Sequence, residues 1–161
     1  MAESFKSFNG TKATNETTEF VIIPSGINGS NTSSTGSREI SSSVQAHSIY
    51  ISQRTSEKLK GKYRYNPRYF SAFNLYIKNV SSNTKTYIVF DGRVVVGAPF
   101  FIEKNITLEP SQMLCLECPN DSFDYDIDDP SYNDGQGYQL NQSSNVFLDV
   151  SASVVSFPSV N

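Results

Sequence analysis

The sequence predicts an all-β protein, an antiparallel β-sandwich with a jelly-roll-like path. Three observations carry this expectation. Charged residues are only 18% of the chain, and Ser, Thr and Asn supply the polar mass instead, side chains that compete with helical hydrogen bonding and favour turns. Aromatics reach 12%, through 11 Phe and 9 Tyr without Trp, which is enough to build a core and excludes global disorder. Short apolar runs of period two recur between turn signals, and no helical period outlasts a turn or two. At 161 residues the length fits one domain.

Residues 1–18 are polar. Met1, Ala2, Phe5, Phe8 and Ala13 are their apolar members, too few to contribute much to a core, so the segment reads as a flexible N-terminal arm or a loosely attached first strand. Residues 19–161 then form a single β-sandwich domain. A short apolar run over 19–24 closes in Pro24-Ser25-Gly26, a strand meeting a turn. Residues 25–43 are small and polar, a surface excursion too long for a tight hairpin.

A strand resumes over 44–52. Phe73, Leu75 and Ile77 then alternate with Asn74, Tyr76 and Lys78, turn at 79–83, and return over 84–90 as a hairpin. Asp91-Gly92 reads as another turn, before a new strand at Val94. Short strands follow at 100–102 and 106–108, a turn at Glu109-Pro110-Ser111, and a strand over 113–116. In the last strand Val146, Leu148, Val150, Ala152 and Val154 share one face and Asp149, Ser151 and Ser153 the other, until Val155 breaks the alternation.

Two loops of opposite charge stand out. Between Arg54 and Phe70 lie Lys58, Lys60, Lys62, Arg64 and Arg68, interleaved with Tyr63, Tyr65 and Tyr69. Residues 120–137 carry Asp121, Asp124, Asp126, Asp128, Asp129 and Asp134 with no basic residue. Tyr and Arg are favoured interface anchors, and complementary charges fix partner and register more than affinity. Lys58, Lys60, Lys62, Tyr63, Arg64, Tyr65, Arg68, Asp124, Asp126, Asp128 and Asp129 are therefore the candidate protein-interface residues.

Catalytic vocabulary is thin. His47 is the single histidine and has no nucleophile motif beside it. Cys115 and Cys118 have C-x-x-C spacing, but in a strand positions i and i+3 point to opposite faces, and a zinc site needs a second ligand pair. They read as small buried residues. Asp124, Asp126 and Asp128 alternate like the opening of a calcium loop, yet Asp129 stands where that loop needs Gly and Gly135 where it needs Glu. No phosphate-binding glycine loop occurs. No cofactor, no metal and no enzymatic role is expected. The net charge of -3 weighs against a nucleic-acid partner. Residues 1–20 lack an apolar signal region, and no apolar run approaches the ~18 residues of a membrane span.

The order of segments resembles small β-sandwich structural proteins of tailed-bacteriophage virions. The pieces are FVIIPSG at 20–26, SIYISQ at 48–53, LYIKNVSSNTKTYIVFD at 75–91, NITLEPSQMLCLE at 105–117 and NVFLDVSASVVSF at 145–157. The charged loops at 54–70 and 120–137 depart from that pattern. The resemblance implies a non-enzymatic virion subunit of the capsid-decoration, neck or tail type. Its expected partners are other virion proteins and copies of itself. The alternative is a carbohydrate- or receptor-binding module of a tail, with Tyr132, Tyr138 and the acidic loop as an aromatic platform with acceptors.

Overall fold

The computed structural model describes residues 4–26, 43–55, 69–95, 97–119, 138–139 and 146–157. They form β1 (Ser4–Ala13), β2 (Phe20–Ile23), β3 (Ser43–Thr55), β4 (Tyr69–Asn79), β5 (Lys85–Val95), β6 (Phe100–Ile102), β7 (Ile106–Leu108), β8 (Gln112–Glu117), β9 (Tyr138–Gln139) and β10 (Val146–Phe157). Two five-stranded sheets result. Sheet A has the order β1-β10-β3-β6, with β7 also on β3; sheet B has the order β2-β8-β4-β5, with β9 on β4. All pairings are antiparallel except β4 with β9. Consecutive strands mostly lie in opposite sheets, so the sheets close over one core. The fold is the β-sandwich that composition and period predicted.

The inner faces supply that core. Ala46, Ile49 and Ile51 from β3 and Leu148, Val150 and Ala152 from β10 meet Phe73 and Leu75 from β4 and Leu114 and Leu116 from β8. Alternation sorts each strand, because successive side chains point to opposite faces. The break at Val155 has a local cause. Ser153 pairs with Ser48 but Val154 pairs with Ala46, so His47 is an extra residue on β3 and the register slips there.

Two expectations are corrected. Of the two readings of residues 1–18, a flexible arm or a loosely attached first strand, the flexible arm does not hold for Ser4–Ala13: β1 pairs with β10 in unbroken register from Ser4↔Ser156 to Ala13↔Phe147. One aromatic suffices to anchor it, since Phe8 is buried in the core while Phe5 faces out. The backbone ladder needs no apolar side chains, which is why a Ser/Thr/Lys-rich segment can supply an edge strand. Lys12 is also buried, its Nζ donating to the Glu16 carbonyl at 2.6 Å. Burial holds its pKa below the ordinary lysine value, against the opposing pull of Cys118 and Glu16.

The second correction concerns Asp91-Gly92, expected as a turn. β5 runs straight through it. Phe73 pairs with Gly92 and Leu75 with Val89, leaving Phe90 and Asp91 both opposite Asn74. That is a bulge. Asp91 takes the left-handed conformation at φ 54°, and its N–H donates to Asn74 Oδ1 at 2.8 Å. Gly92 lets the ring of Phe73 approach, since a Cβ there would stand 2.7 Å from Phe73 Cζ and from Val89 Cγ1. The expected turn at 109–111 is present, closed by Gln112 N–H donating to the Glu109 carbonyl at 2.9 Å.

Candidate functional site

The outer face of sheet B carries an aromatic and charged patch. Phe73 and Leu75 point inward, so Asn74, Tyr76 and Lys78 point out, and register lines Tyr76 up with Cys115 on one side and Tyr87 on the other. Tyr76 is nevertheless fully buried. Tyr87 crosses it at a ring distance of 5.5 Å, and Lys85 Nζ lies 4.6 Å from its centroid. Val21, Met113 and Cys115 pack around it as a second small core.

Two carboxylates complete the patch, each held by a lysine and a tyrosine. Glu19 accepts from the Tyr76 hydroxyl and, at 3.1 Å, from Lys78 Nζ. Glu117 accepts from Lys85 Nζ at 3.0 Å, Asn74 Nδ2 at 3.2 Å and the Tyr87 hydroxyl at 3.5 Å. Burial by itself would raise the pKa of Glu117. The hydrogen bonds from Lys85 and Asn74, with the lysine charge, outweigh it and hold the carboxyl below its ordinary value. The same hydrogen bond lifts Lys85 above the usual lysine value, while burial and then the Glu19 contact push the Tyr76 hydroxyl far up. These charges are satisfied within the patch and leave its aromatic rim as the exposed part.

That rim lies on β5, one of the two end strands in the order of sheet B among the described residues. Register shifts flank Leu75, and Phe90, next to Val89 that pairs with inward Leu75, falls on the outer face beside the bulge. Phe90 is 70% exposed and Tyr87 43%, their rings edge to face at 5.1 Å. Farther along the strand, the Arg93 guanidinium sits 4.6 Å over Phe70.

Sheet A presents a different surface. The outward row Asn9–Ser151–Tyr50–Phe101 runs across β1, β10, β3 and β6 in register. The small Ser151 leaves a trough of about 360 Å³ beside Tyr50, floored by Gly10 and Val150 and bounded by Asn9, Thr11 and Asp149. Tyr50 is braced by Phe101, ring centroids 4.8 Å apart at 72°. Asp149 accepts from Arg54 Nε at 2.9 Å, from Arg54 Nη2 at 3.4 Å and from Thr11 Oγ1 at 2.8 Å. The Arg54 guanidinium also covers Phe147 at 4.8 Å.

The predicted interface residues Lys58, Lys60, Lys62, Tyr63, Arg64, Tyr65, Arg68, Asp124, Asp126, Asp128 and Asp129 lie outside the described residues, as does Tyr132. The basic stretch enters the described structure through Arg54, Phe70 and the backbone of Tyr69, and Arg54 finds its acidic partner in Asp149 rather than across a loop. Cys115 and Cys118 are free, buried and on opposite faces, one in the Tyr76 cluster and the other in the inter-sheet core. Burial pushes the Cys118 thiol up to about 12 and the Cys115 thiol higher still. His47 is exposed, its Nδ1 3.0 Å from Asn105 Oδ1. Among the described residues no group of His, Cys, Asp and Glu is placed to hold a metal ion, and no helix is long and apolar enough to cross a membrane. Sequence reasoning did not single out Tyr87, Phe90, Tyr50 or Asp149 as a site, because each reads as an ordinary outward member of an alternating strand.

No family model matches the chain, and no curated protein matches it. Among solved structures, it aligns with the CBM22-1–GH10 modules of the endo-1,4-β-D-xylanase Xyn10B of Clostridium thermocellum, solved with xylohexaose. The TM-score is 0.34 and the identity 9%, over 95% of this chain and 27% of that one. The chain thus spans about a quarter of that protein's length.

Proposed function

We propose that this chain is a non-enzymatic structural subunit of a virion, docking on neighbouring protein subunits through the aromatic rim of β5. The observation that carries the reading is Phe90, 70% exposed beside a bulge on an edge strand of sheet B. A large apolar ring held in water gains about 1.5–3 kcal/mol on burial, and aromatic anchors of this kind dominate many interfaces. The two register shifts, with Lys85 and Arg93 on the same edge, oppose the open-ended strand pairing that a flat edge invites. Such an edge suits insertion of side chains into a partner's pocket. The order of strand segments, which resembles small virion β-sandwiches, supplies the class of partner: capsid, neck or tail subunits, with further copies of the same chain.

The test is incorporation. Particles assembled with Phe90→Ser or Tyr87→Ser chains are purified by density gradient and quantified against particles made with the parent. Both variants are expected to fold, as measured by circular dichroism, and to be depleted from particles. Incorporation equal to the parent would contradict the role assigned to this rim. Absence of the parent chain from purified particles would contradict the virion role altogether.

A further inference from the structure

The trough on sheet A is separate from the β5 rim and has another chemistry. We propose that it binds a neutral saccharide chain, with the Tyr50 ring as platform and Asp149, held by Arg54, as the polar group at one end. The inference does not depend on the assembly role.

A sugar ring offers a face of C–H groups and a rim of hydroxyls. The first needs an aromatic plane and the second needs polar groups of fixed direction. Tyr50 lines the trough, and its ring already packs against Phe101 before any ligand arrives, so little ordering entropy remains to be lost on binding. Asp149 is likewise fixed, by Arg54 and Thr11. A carboxylate has about four acceptor positions and a guanidinium five N–H groups. The bonds from Arg54 and Thr11 occupy three of the first and two of the second. An acceptor position on Asp149 is thus left facing the trough for a hydroxyl, with the Arg54 guanidinium behind it to hold the carboxylate in place.

Charge selects the class of saccharide. Asp149 is the ionisable carboxylate of the trough lining, and Arg54 Nε lies 2.9 Å from it, so the pair cancels. An anionic glycan would leave its charges uncompensated against the half-buried wall, whereas a neutral one meets complementary polarity. Topology argues against an extended peptide. Under Tyr50 and Ser151 the floor is β10 and β3, and β10 is paired by β1 on one side and β3 on the other, so an extended peptide finds main-chain partners only along the outer edge of β1, away from the Tyr50 ring.

The test uses the full chain on an array of neutral gluco-, galacto-, manno- and xylo-oligosaccharides beside anionic uronate oligomers. Affinity electrophoresis in gels holding the corresponding polysaccharides gives the dissociation constants. Binding to at least one neutral glycan is expected. Tyr50→Ala should weaken it by about tenfold or more, and Ser151→Trp, which fills the trough from an outward position, should abolish it. Phe90→Ser should leave it unchanged. Binding to anionic glycans alone, or to none, overturns the proposal. So does a folded Ser151→Trp chain that binds like the parent, whether or not Tyr50→Ala folds. Loss of particle incorporation in Ser151→Trp without glycan binding by the parent would assign the trough to protein contacts instead.

Discussion

Replacing Phe8 by Ala tests whether the first strand belongs to the sandwich or merely lies against it. Phe8 is 2% exposed and packs in the inter-sheet cluster with Phe20, Val150 and Ala152. Truncating such a ring removes its transfer free energy and leaves a cavity that its neighbours fill only partly, a loss of about 3–5 kcal/mol. Domains have in total about 5–15 kcal/mol. For a chain of this size each kcal/mol moves the melting temperature by about 2–4 °C, so a fall of roughly 6–20 °C is expected. Phe5 is the internal control. It lies on the same strand, three residues earlier, but is 76% exposed, and its replacement by Ala should stay within about 0.5 kcal/mol. Urea titration and thermal melting followed by far-UV circular dichroism measure both. The urea midpoint of Phe8→Ala should drop while the slope with denaturant holds, because the surface exposed on unfolding is nearly unchanged. A Phe8→Ala chain that melts like the parent would refute the integral strand and restore the flexible arm.

Three further outcomes are expected. Glu117 is held below its ordinary pKa in the folded chain, so its contribution is fully present above the unfolded value of ~4.3 and is lost as pH falls through the depressed folded value; Glu117→Gln should flatten the acid arm of stability against pH below about 5, and an unchanged arm would discount the Lys85 and Asn74 contacts. Cys115 and Cys118 should resist a thiol-specific reagent at neutral pH until urea unfolds the chain, since both are buried and protonated; prompt labelling of the native protein would show an opening of the sheet. Gly92→Ala forces a Cβ to within 2.7 Å of Phe73 and Val89 and should cost about 1–3 kcal/mol, whereas a neutral effect in the melting transition would mean that the bulge relaxes freely.

How far the sequence could be read follows from what each feature depends on. β10 was legible because Val146 to Val154 alternate without interruption, and the faces of a strand follow from alternation alone. β1 was not, because its ten residues hold only Phe8 as a buried aromatic and its stability comes from a ladder with β10 that lies far along the chain. Asp91-Gly92 is good turn chemistry and equally good bulge chemistry; the choice was made by Asn74, whose side chain bonds the displaced N–H of Asp91. The candidate site depends on neighbours even more. Tyr87 and Phe90 matter because β5 is an edge, and Tyr76 is buried because Tyr87 and Lys85 cover an outward face. The pairing of Arg54 with Asp149 joins positions 95 residues apart, which local pattern does not reveal.

The central claim is that the β5 rim meets another virion protein, and a photo-reactive phenylalanine analogue placed at Phe90 tests it most directly. The analogue keeps the aromatic character of the site, and a second chain carrying it at exposed Phe101, on sheet A, reports on the opposite surface. Particles are irradiated and the adducts identified by mass spectrometry. The expected result is a cross-link from position 90 to a capsid, neck or tail subunit or to another copy of the chain. Incorporated chains that yield no protein adduct from position 90, while position 101 cross-links efficiently, would contradict the claim.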